Sequence, residues 1–187
     1  MNREQFVQDA TRTESQVDLV KVNYDQFRNA VAISIHSAEL LNQLKRAIFY
    51  KKAIDAAKWS EAVLALDSCL GNLLRGEDAN IEFMPNIDPR LLHGVIGKVT
   101  ECGELLEALS NSMFNGTPLD LVNIMEELGD DDWYNAIIES TTGISRADIC
   151  ARVIAKLKAR YPEKFTTDHA INRNLTEERA VLEGKAA

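Results

Sequence analysis

The chain has few of the residues that break helices: four prolines and nine glycines in 187 residues. That leaves little room for a turn-rich β architecture. Cysteine is also scarce, and Cys69, Cys102 and Cys150 lie far apart. With no CxxC or Cys/His spacing among them, a zinc module and a disulfide framework are excluded, and reduced thiols are expected. His36, His93 and His169 are dispersed, with no HxxxH or HExxH. No apolar run approaches the ~18–20 residues of a spanning helix. The opening MNREQFVQDATRTESQ lacks the apolar segment of a signal peptide. Together these absences predict a soluble, cytoplasmic protein with no membrane partner. Basic residues are in deficit, 21 Lys and Arg against 29 Asp and Glu, for a net charge of −8. Such a surface repels a phosphate backbone and excludes nucleic acid as a partner. No P-loop, GxGxxG or GxSxG motif occurs.

What the chain does have is helical periodicity. Apolar residues recur every three or four positions through most segments, as in Phe27, Val31, Ile35, Leu40, Leu41, Leu44 and Ile48. The pattern predicts helices at 2–15, 23–50, 53–75, 88–114, 118–140, 145–160 and 175–184, with breaks at 76–86, 115–118, 141–145 and after Pro162. Pro118 suits the first turn of the helix after Gly116-Thr117, where a missing N–H costs nothing. Ser145 with Asp148 reads as a helix start. The expected fold is all-α: one domain over 1–187, with a helical hairpin region at 1–85 and a second hairpin plus C-terminal tail at 88–184.

Residues 36–69 align without a gap onto 101–134 at an offset of 65. Glu39, Leu40, Leu41, Leu44, Phe49, Asp55, Glu61 and Asp67 recur as Glu104, Leu105, Leu106, Leu109, Phe114, Asp120, Glu126 and Asp132. Two amphipathic hairpins of similar composition would give such matches. The alternative is an old duplication whose first copy lost its chemistry, since Glu101, Glu127 and Asp130 correspond to His36, Ala62 and Ala65.

The acids carry the chemistry. Glu101-Cys-Gly-Glu104 and Glu127-Leu-Gly-Asp130 each set two carboxylates three apart, on one helix face. Val95, Val99, Leu105 and Leu106 flank the first pair and Ile124, Leu128 and Trp133 the second, all expected to face a core. A glycine precedes the last acid of each pair, Gly103 and Gly129, at a helix cost of about 0.5–1 kcal/mol each. Close approach of another helix or of a ligand is the expected return. The intervening residues 105–126 permit a hairpin whose arms face each other. Four converging carboxylates repel strongly, and a hard divalent cation with oxygen ligands removes that repulsion while accepting phosphate oxygens. The competing reading is of solvated faces or ion-pair partners. Lys98, three residues before Glu101, is expected to pair with it.

The stretch His93-Gly-Val-Ile-Gly-Lys-Val-Thr-Glu-Cys-Gly-Glu-Leu-Leu-Glu-Ala-Leu, followed by Asn123-Ile-Met-Glu-Glu-Leu-Gly-Asp and Trp133-Tyr134, resembles the MazG-like all-α NTP pyrophosphohydrolases, whose signature is ExxE then ExxD. The tail AKLKARYPEKFTTDHAINRNLTEERAVLE is similar to a phage and bacterial subset of that family. Detailed resemblance covers about 90–184. It implies a helical bundle of the MazG and dimeric dUTPase type that hydrolyses a nucleoside triphosphate to the monophosphate and pyrophosphate with Mg²⁺, or Mn²⁺. By that resemblance Glu101, Glu104, Glu127 and Asp130 hold the metal, and Glu104 or Glu127 positions the attacking water.

Lys156 takes the place of the family's cation in NxxK. With Arg160 four residues on, it is read as a phosphate contact, although basic residues also suit a helix C-terminus. Asn123, Tyr134 and Arg173 complete the expected substrate set. Val153 replaces the NxxK asparagine, Phe114-Asn-Gly-Thr117 replaces FYGK, and Asp131 and Asp132 replace apolar residues. Related activities are a dUTPase-like or phosphoribosyl-ATP pyrophosphohydrolase reaction; the contrasting class is a non-catalytic helical interaction module. Hairpins of this kind leave apolar faces to cover, so a homodimer or homotetramer is expected.

Overall fold

The structure, a computed structural model, describes residues 1–15, 20–21, 23–75, 82–83 and 87–185. Its helices are α1 (Arg3–Thr11), α2 (Tyr24–Tyr50), α3 (Ala56–Arg75), α4 (Pro89–Asn115), α5 (Leu121–Thr142), α6 (Arg146–Arg160), α7 (Thr167–Ile171) and α8 (Leu175–Leu182). A two-residue antiparallel pair, β1 (Val20–Lys21) and β2 (Glu82–Phe83), aligns Val20 with Phe83 and Lys21 with Glu82. The class is all-α. None of the described helices is long and apolar enough to cross a membrane.

Three local expectations change. The first helix stops at Thr11 rather than 15, where the Arg12 and Thr13 amides close the last turn onto Gln8 and Ala10. Pro118 lies outside α5, because Asp120 is the N-cap and accepts from the Val122 and Asn123 amides at 2.9 and 3.3 Å. The short α7 breaks the predicted non-helical stretch after Pro162, capped by Thr166, whose hydroxyl accepts from the His169 amide. The predicted break at 76–86 lies, apart from β2, outside the described residues. Ser145 does open α6: its hydroxyl accepts from the Asp148 amide at 3.1 Å and donates to the Asp148 carboxylate at 2.7 Å.

The chain divides into two compact units, Met1–Leu19 with Met84–Asp148, and Val20–Phe83 with Ile149–Ala187. In the first, α4 and α5 form a hairpin that turns at Gly116, which has φ +71°. Their seam is set by Gly94 and Gly97 of α4, which lie against Ile138 and Tyr134 of α5. A Cβ at Gly97 would stand 2.0 Å from the Tyr134 ring, so no other residue fits there without displacing it. Ala136 and Ile137 of α5 are fully buried. The Trp133 indole N–H donates to the Ala10 carbonyl at 3.0 Å and so ties α1 to α5. Arg3 reaches across to Asp132 and to the buried Glu139, both at 2.5 Å. A buried carboxylate is tolerated when paired in this way.

In the second unit α2 and α3 form the other hairpin. Buried Gln43 ties its arms: its amide donates to Glu39 at 2.6 Å, and its carbonyl accepts from the Asp55 amide at 3.2 Å.

The two hairpins share their element bounds at the 65-residue offset. Helices α2 and α4 each run 27 residues with starts and ends shifted by 65, and α3 and α5 start 65 apart. The N-caps Asn23 and Asp88 correspond, as do the left-handed C-caps Lys51 and Gly116. The turn bonds also repeat: the Lys52 amide donates to Arg46 and the Thr117 amide to Asn111, both at 3.2 Å. Helical composition alone does not fix caps and turns in register, and this agreement favours the duplication. The first copy holds its turn with Lys51 at φ +53°, a conformation costing a non-glycine residue roughly 1–2 kcal/mol.

Candidate metal centre

Residues of α4 and α5 bring the acids together. Carboxylate oxygens of Glu101, Glu127 and Asp130 lie within 4.8 Å of one another. Glu101 and Glu127 are buried, 7% and 5% exposed, whereas Glu104 and Asp130 face solvent. The three-residue spacing puts each pair on one face, and the tight seam at Gly94 and Gly97 brings the two faces close. Few donors answer them. The Asn123 amide donates to Glu127 at 2.5 Å, and the Thr100 hydroxyl donates to Glu101 at 3.3 Å.

Mutual repulsion shows in the acidities. Burial, then hydrogen bonding with the Glu127 carboxyl and the charges of Glu104 and Asp130, pushes Glu101 above the ordinary carboxylate range. Glu104 is raised first by the charge of Glu127. The Tyr134 hydroxyl is raised by burial and then by the charges of Glu101, Asp130 and Glu104. Among the described residues, no lysine or arginine forms an ion pair with any of the four carboxylates. An all-oxygen, uncompensated donor set of this kind fits a hard divalent cation.

The first hairpin shows the contrast. His36, Ala62 and Ala65 stand at the positions of Glu101, Glu127 and Asp130, and a cavity of about 330 Å³ there is lined by Ile35, His36, Glu39, Lys58, Glu61 and Ala62. Glu39, the counterpart of Glu104, is held below the usual carboxylate range by hydrogen bonds from Gln43 and then Asn42. One position therefore shifts in opposite directions in the two copies. Amide donors satisfy Glu39, and Glu104 faces other acids.

Several residues are placed differently from the sequence reading. Lys98 pairs with Asp131 across the hairpin, not with Glu101, because the seam brings α5 within reach of its side chain. Asp131 and Asp132, unusual against the family pattern, are thereby explained: the first meets Lys98 and the second Arg3. Gly103 and Gly129 have nothing within 4 Å of a Cβ position, so no neighbouring helix approaches them among the described residues. The close-packed glycines are Gly94 and Gly97, which sequence reasoning passed over. Their three-residue spacing beside Glu101 was the available signal. His93 stacks edge-on with Trp133 and Tyr134, at 5.8 and 5.6 Å between ring centroids, and belongs to the packing of the hairpin.

The basic candidates lie in the other unit. Lys156, half-buried on α6, makes no ion pair among the described residues. Arg160 and Arg173 both grip the buried Glu178: Arg160 Nε at 2.8 Å, and Arg173 at 2.5 Å through a terminal nitrogen and 3.1 Å through Nε. The two guanidinium groups, Arg173 first, lower Glu178 to about 2. Because that value is depressed from its ordinary 4.5, the stabilisation is complete above pH 4.5 and is lost as pH falls through about 2. Glu178→Gln is expected to lose about 2 kcal/mol at pH 7, a figure reduced because Arg173 is half-exposed to screening solvent. The difference from the wild-type chain should vanish near pH 2 in urea melts followed by circular dichroism. An equal difference at both pH values would mean that the pair contributes no charge-dependent stability.

Comparison of the chain with protein-family models, with curated proteins and with solved structures gives no match.

Proposed function

We propose that the chain hydrolyses a nucleoside triphosphate to its monophosphate and pyrophosphate with a divalent metal, as its resemblance to the MazG-like pyrophosphohydrolases implies. The observation that carries the reading is the convergence of Glu101, Glu127 and Asp130, with Glu104 beside them, and no lysine or arginine paired with them among the described residues. The other buried acids of the described residues, Glu139 and Glu178, are each paired with arginine, whereas buried Glu101 and Glu127 are not.

Glu101, Glu104, Glu127 and Asp130 would hold Mg²⁺ or Mn²⁺, which when bound neutralises the charge of a triphosphate. Asn123 orients Glu127 from one side. Glu104, exposed and raised in basicity by Glu127, would accept a proton from water. That water's oxygen bonds to the α-phosphorus as the bond to the pyrophosphate oxygen breaks, and catalysis is largely positioning and charge stabilisation. Tyr134 is fixed in the seam by Gly97, His93 and Trp133, and the charges of the same acids act on its hydroxyl.

A homodimer or homotetramer belongs to this reading. Val95, Val99, Cys102, Leu106, Leu109 and Met113 form a stripe at alternating four- and three-residue spacing on α4, and Leu121, Val122, Met125 and Leu128 another on α5, all substantially exposed. A second copy would cover them. The three cysteines are free, which suits a reducing, cytoplasmic compartment.

The test is pyrophosphate release from the eight common NTPs and dNTPs with Mg²⁺ and with EDTA. Metal-dependent release is expected, and the preferred nucleotide separates a general pyrophosphohydrolase from a dUTPase-like enzyme. Phosphoribosyl-ATP is assayed beside them. No release from any of them, with no binding of divalent metal, would leave the helical interaction module as the reading.

A further inference from the structure

A cavity of about 470 Å³ in the second unit gathers four cations in an otherwise acidic chain: Lys45 and Arg46 from α2, Arg160 from the end of α6, and Arg173 between α7 and α8. Asn42, Tyr50 and Tyr161 share its wall. One carboxylate, Glu178, meets this group, and it is already held by both Arg160 and Arg173. Lys45 and Arg46 make no ion pair among the described residues, although Glu39, hydrogen-bonded by Gln43 and Asn42, lies near enough to feel Arg46.

Helix C-termini favour cations, and Arg160 sits in the last turn of α6, whereas Lys45 and Arg46 lie before the last turn of α2. That effect is worth about 0.3–1 kcal/mol per charge and requires no shared cavity. It also leaves Lys45 and Arg46 without a role, since Arg160 and Arg173 have Glu178 as a partner and these two have no ion-pair partner among the described residues. The geometry instead suits an anion. Glu178 fixes two guanidinium groups by their Nε and one terminal nitrogen each, and each has five N–H donors in a rigid fork. Arg160 is held further by the Tyr161 ring, 5.6 Å below its guanidinium carbon, and Tyr161 packs on Phe165 at 5.5 Å. Two pre-ordered forks with two unpaired cations beside them match a polyphosphate, which offers several oxygens and more than one negative charge.

We propose that this cavity binds a polyphosphate group, either inorganic pyrophosphate or the phosphate chain of a nucleotide, without a metal ion. The site is independent of the acid cluster, because four uncompensated carboxylates cannot take up an anion when metal is withheld.

The experiment is calorimetric titration of the full chain with inorganic pyrophosphate, and separately with ATP, in EDTA. Wild type and Glu127→Gln are expected to bind alike. The variant Lys45→Glu with Arg46→Glu should bind at least ten-fold more weakly, and Lys45→Gln with Arg46→Gln should fall between. These are surface positions of α2, and unchanged helical circular dichroism would confirm the fold. ATP binding much tighter than pyrophosphate identifies a nucleotide ligand, and equal affinity identifies the phosphates alone; either supports the site. No binding to wild type at millimolar ligand, or equal binding by the charge-reversed variant, overturns it. Loss of binding in Glu127→Gln alone would also overturn it, because binding would then depend on the acid cluster and the site would not be independent.

Discussion

Glu127→Gln is expected to lower metal-dependent pyrophosphate release by on the order of 10²–10³-fold, the scale for losing a buried charged group that acts on the transition state. The substitution keeps the side chain's size, and Asn123 can still hydrogen-bond the remaining carbonyl oxygen. It removes the charge that is the largest cause of the raised Glu104 pKa, and the carboxyl that hydrogen-bonds Glu101. Loss of activity should therefore come without loss of fold. In the wild-type chain Glu101 and Glu104 bind protons more tightly folded than unfolded. Without metal, their contribution to stability accordingly falls as pH rises past the ordinary carboxylate value. Divalent metal should reverse this, so the metal-induced rise in melting temperature should grow from pH 5 to pH 8 in wild type and shrink in Glu127→Gln. A variant with undiminished turnover would place the chemistry elsewhere, and a metal response that ignores pH would mean that the acids are not its ligands.

The second large effect concerns packing. Gly97→Ala would set a Cβ 2.0, 2.2 and 2.3 Å from three atoms of the Tyr134 ring. The ring cannot swing aside freely, because His93 and Trp133 meet it edge-on at 5.6 and 4.9 Å. Overpacking of this kind typically costs about 1–3 kcal/mol, and the upper end is expected here. Gly103→Ala is the control: nothing lies within 4 Å of its Cβ position, so the gain in helix propensity should stabilise by about 0.5–1 kcal/mol. Urea denaturation of both variants reads opposite signs. If Gly97→Ala proves neutral, α4 and α5 are not packed as tightly as this seam requires. The same variant should also disturb the acid cluster, since the charges of Glu101 and Asp130 act on the Tyr134 hydroxyl.

Much of this was legible from local pattern. The helical class and the bounds of α2, α4 and α6 follow from apolar spacing, the Ser145 start and the turn at Gly116. The acids were legible for the same reason: an i, i+3 pair shares a helix face whatever the helix packs against. The offset of 65 was visible as eight identities. Only the caps and turn bonds, repeated in register, distinguish it from shared composition. The α7 turn and the two-residue β pair were not legible, because segments of five and two residues carry no periodicity to read.

Glycine gave the least reliable signal. Four glycines in the second hairpin occupy helix interiors, and sequence alone ranked Gly103 and Gly129 above Gly94 and Gly97. Close approach is a property of two surfaces, and only the packing of Tyr134 and Ile138 reveals which pair needs the missing side chain. Charge partners divide in the same way. The spacing of Lys98 and Glu101 allows a pair on one helix, but an ammonium group binds whichever carboxylate the fold brings nearest, and that is Asp131. Arg160 and Arg173 read as cations without partners until Glu178 is seen buried between them. The sequence by itself determined the helices, their caps and which side of each helix carries the acids, since these depend on neighbours within about one turn. The tertiary structure decided which faces meet and which charges are neutralised. Those outcomes depend on groups distant in sequence, whose separation in space no local pattern encodes.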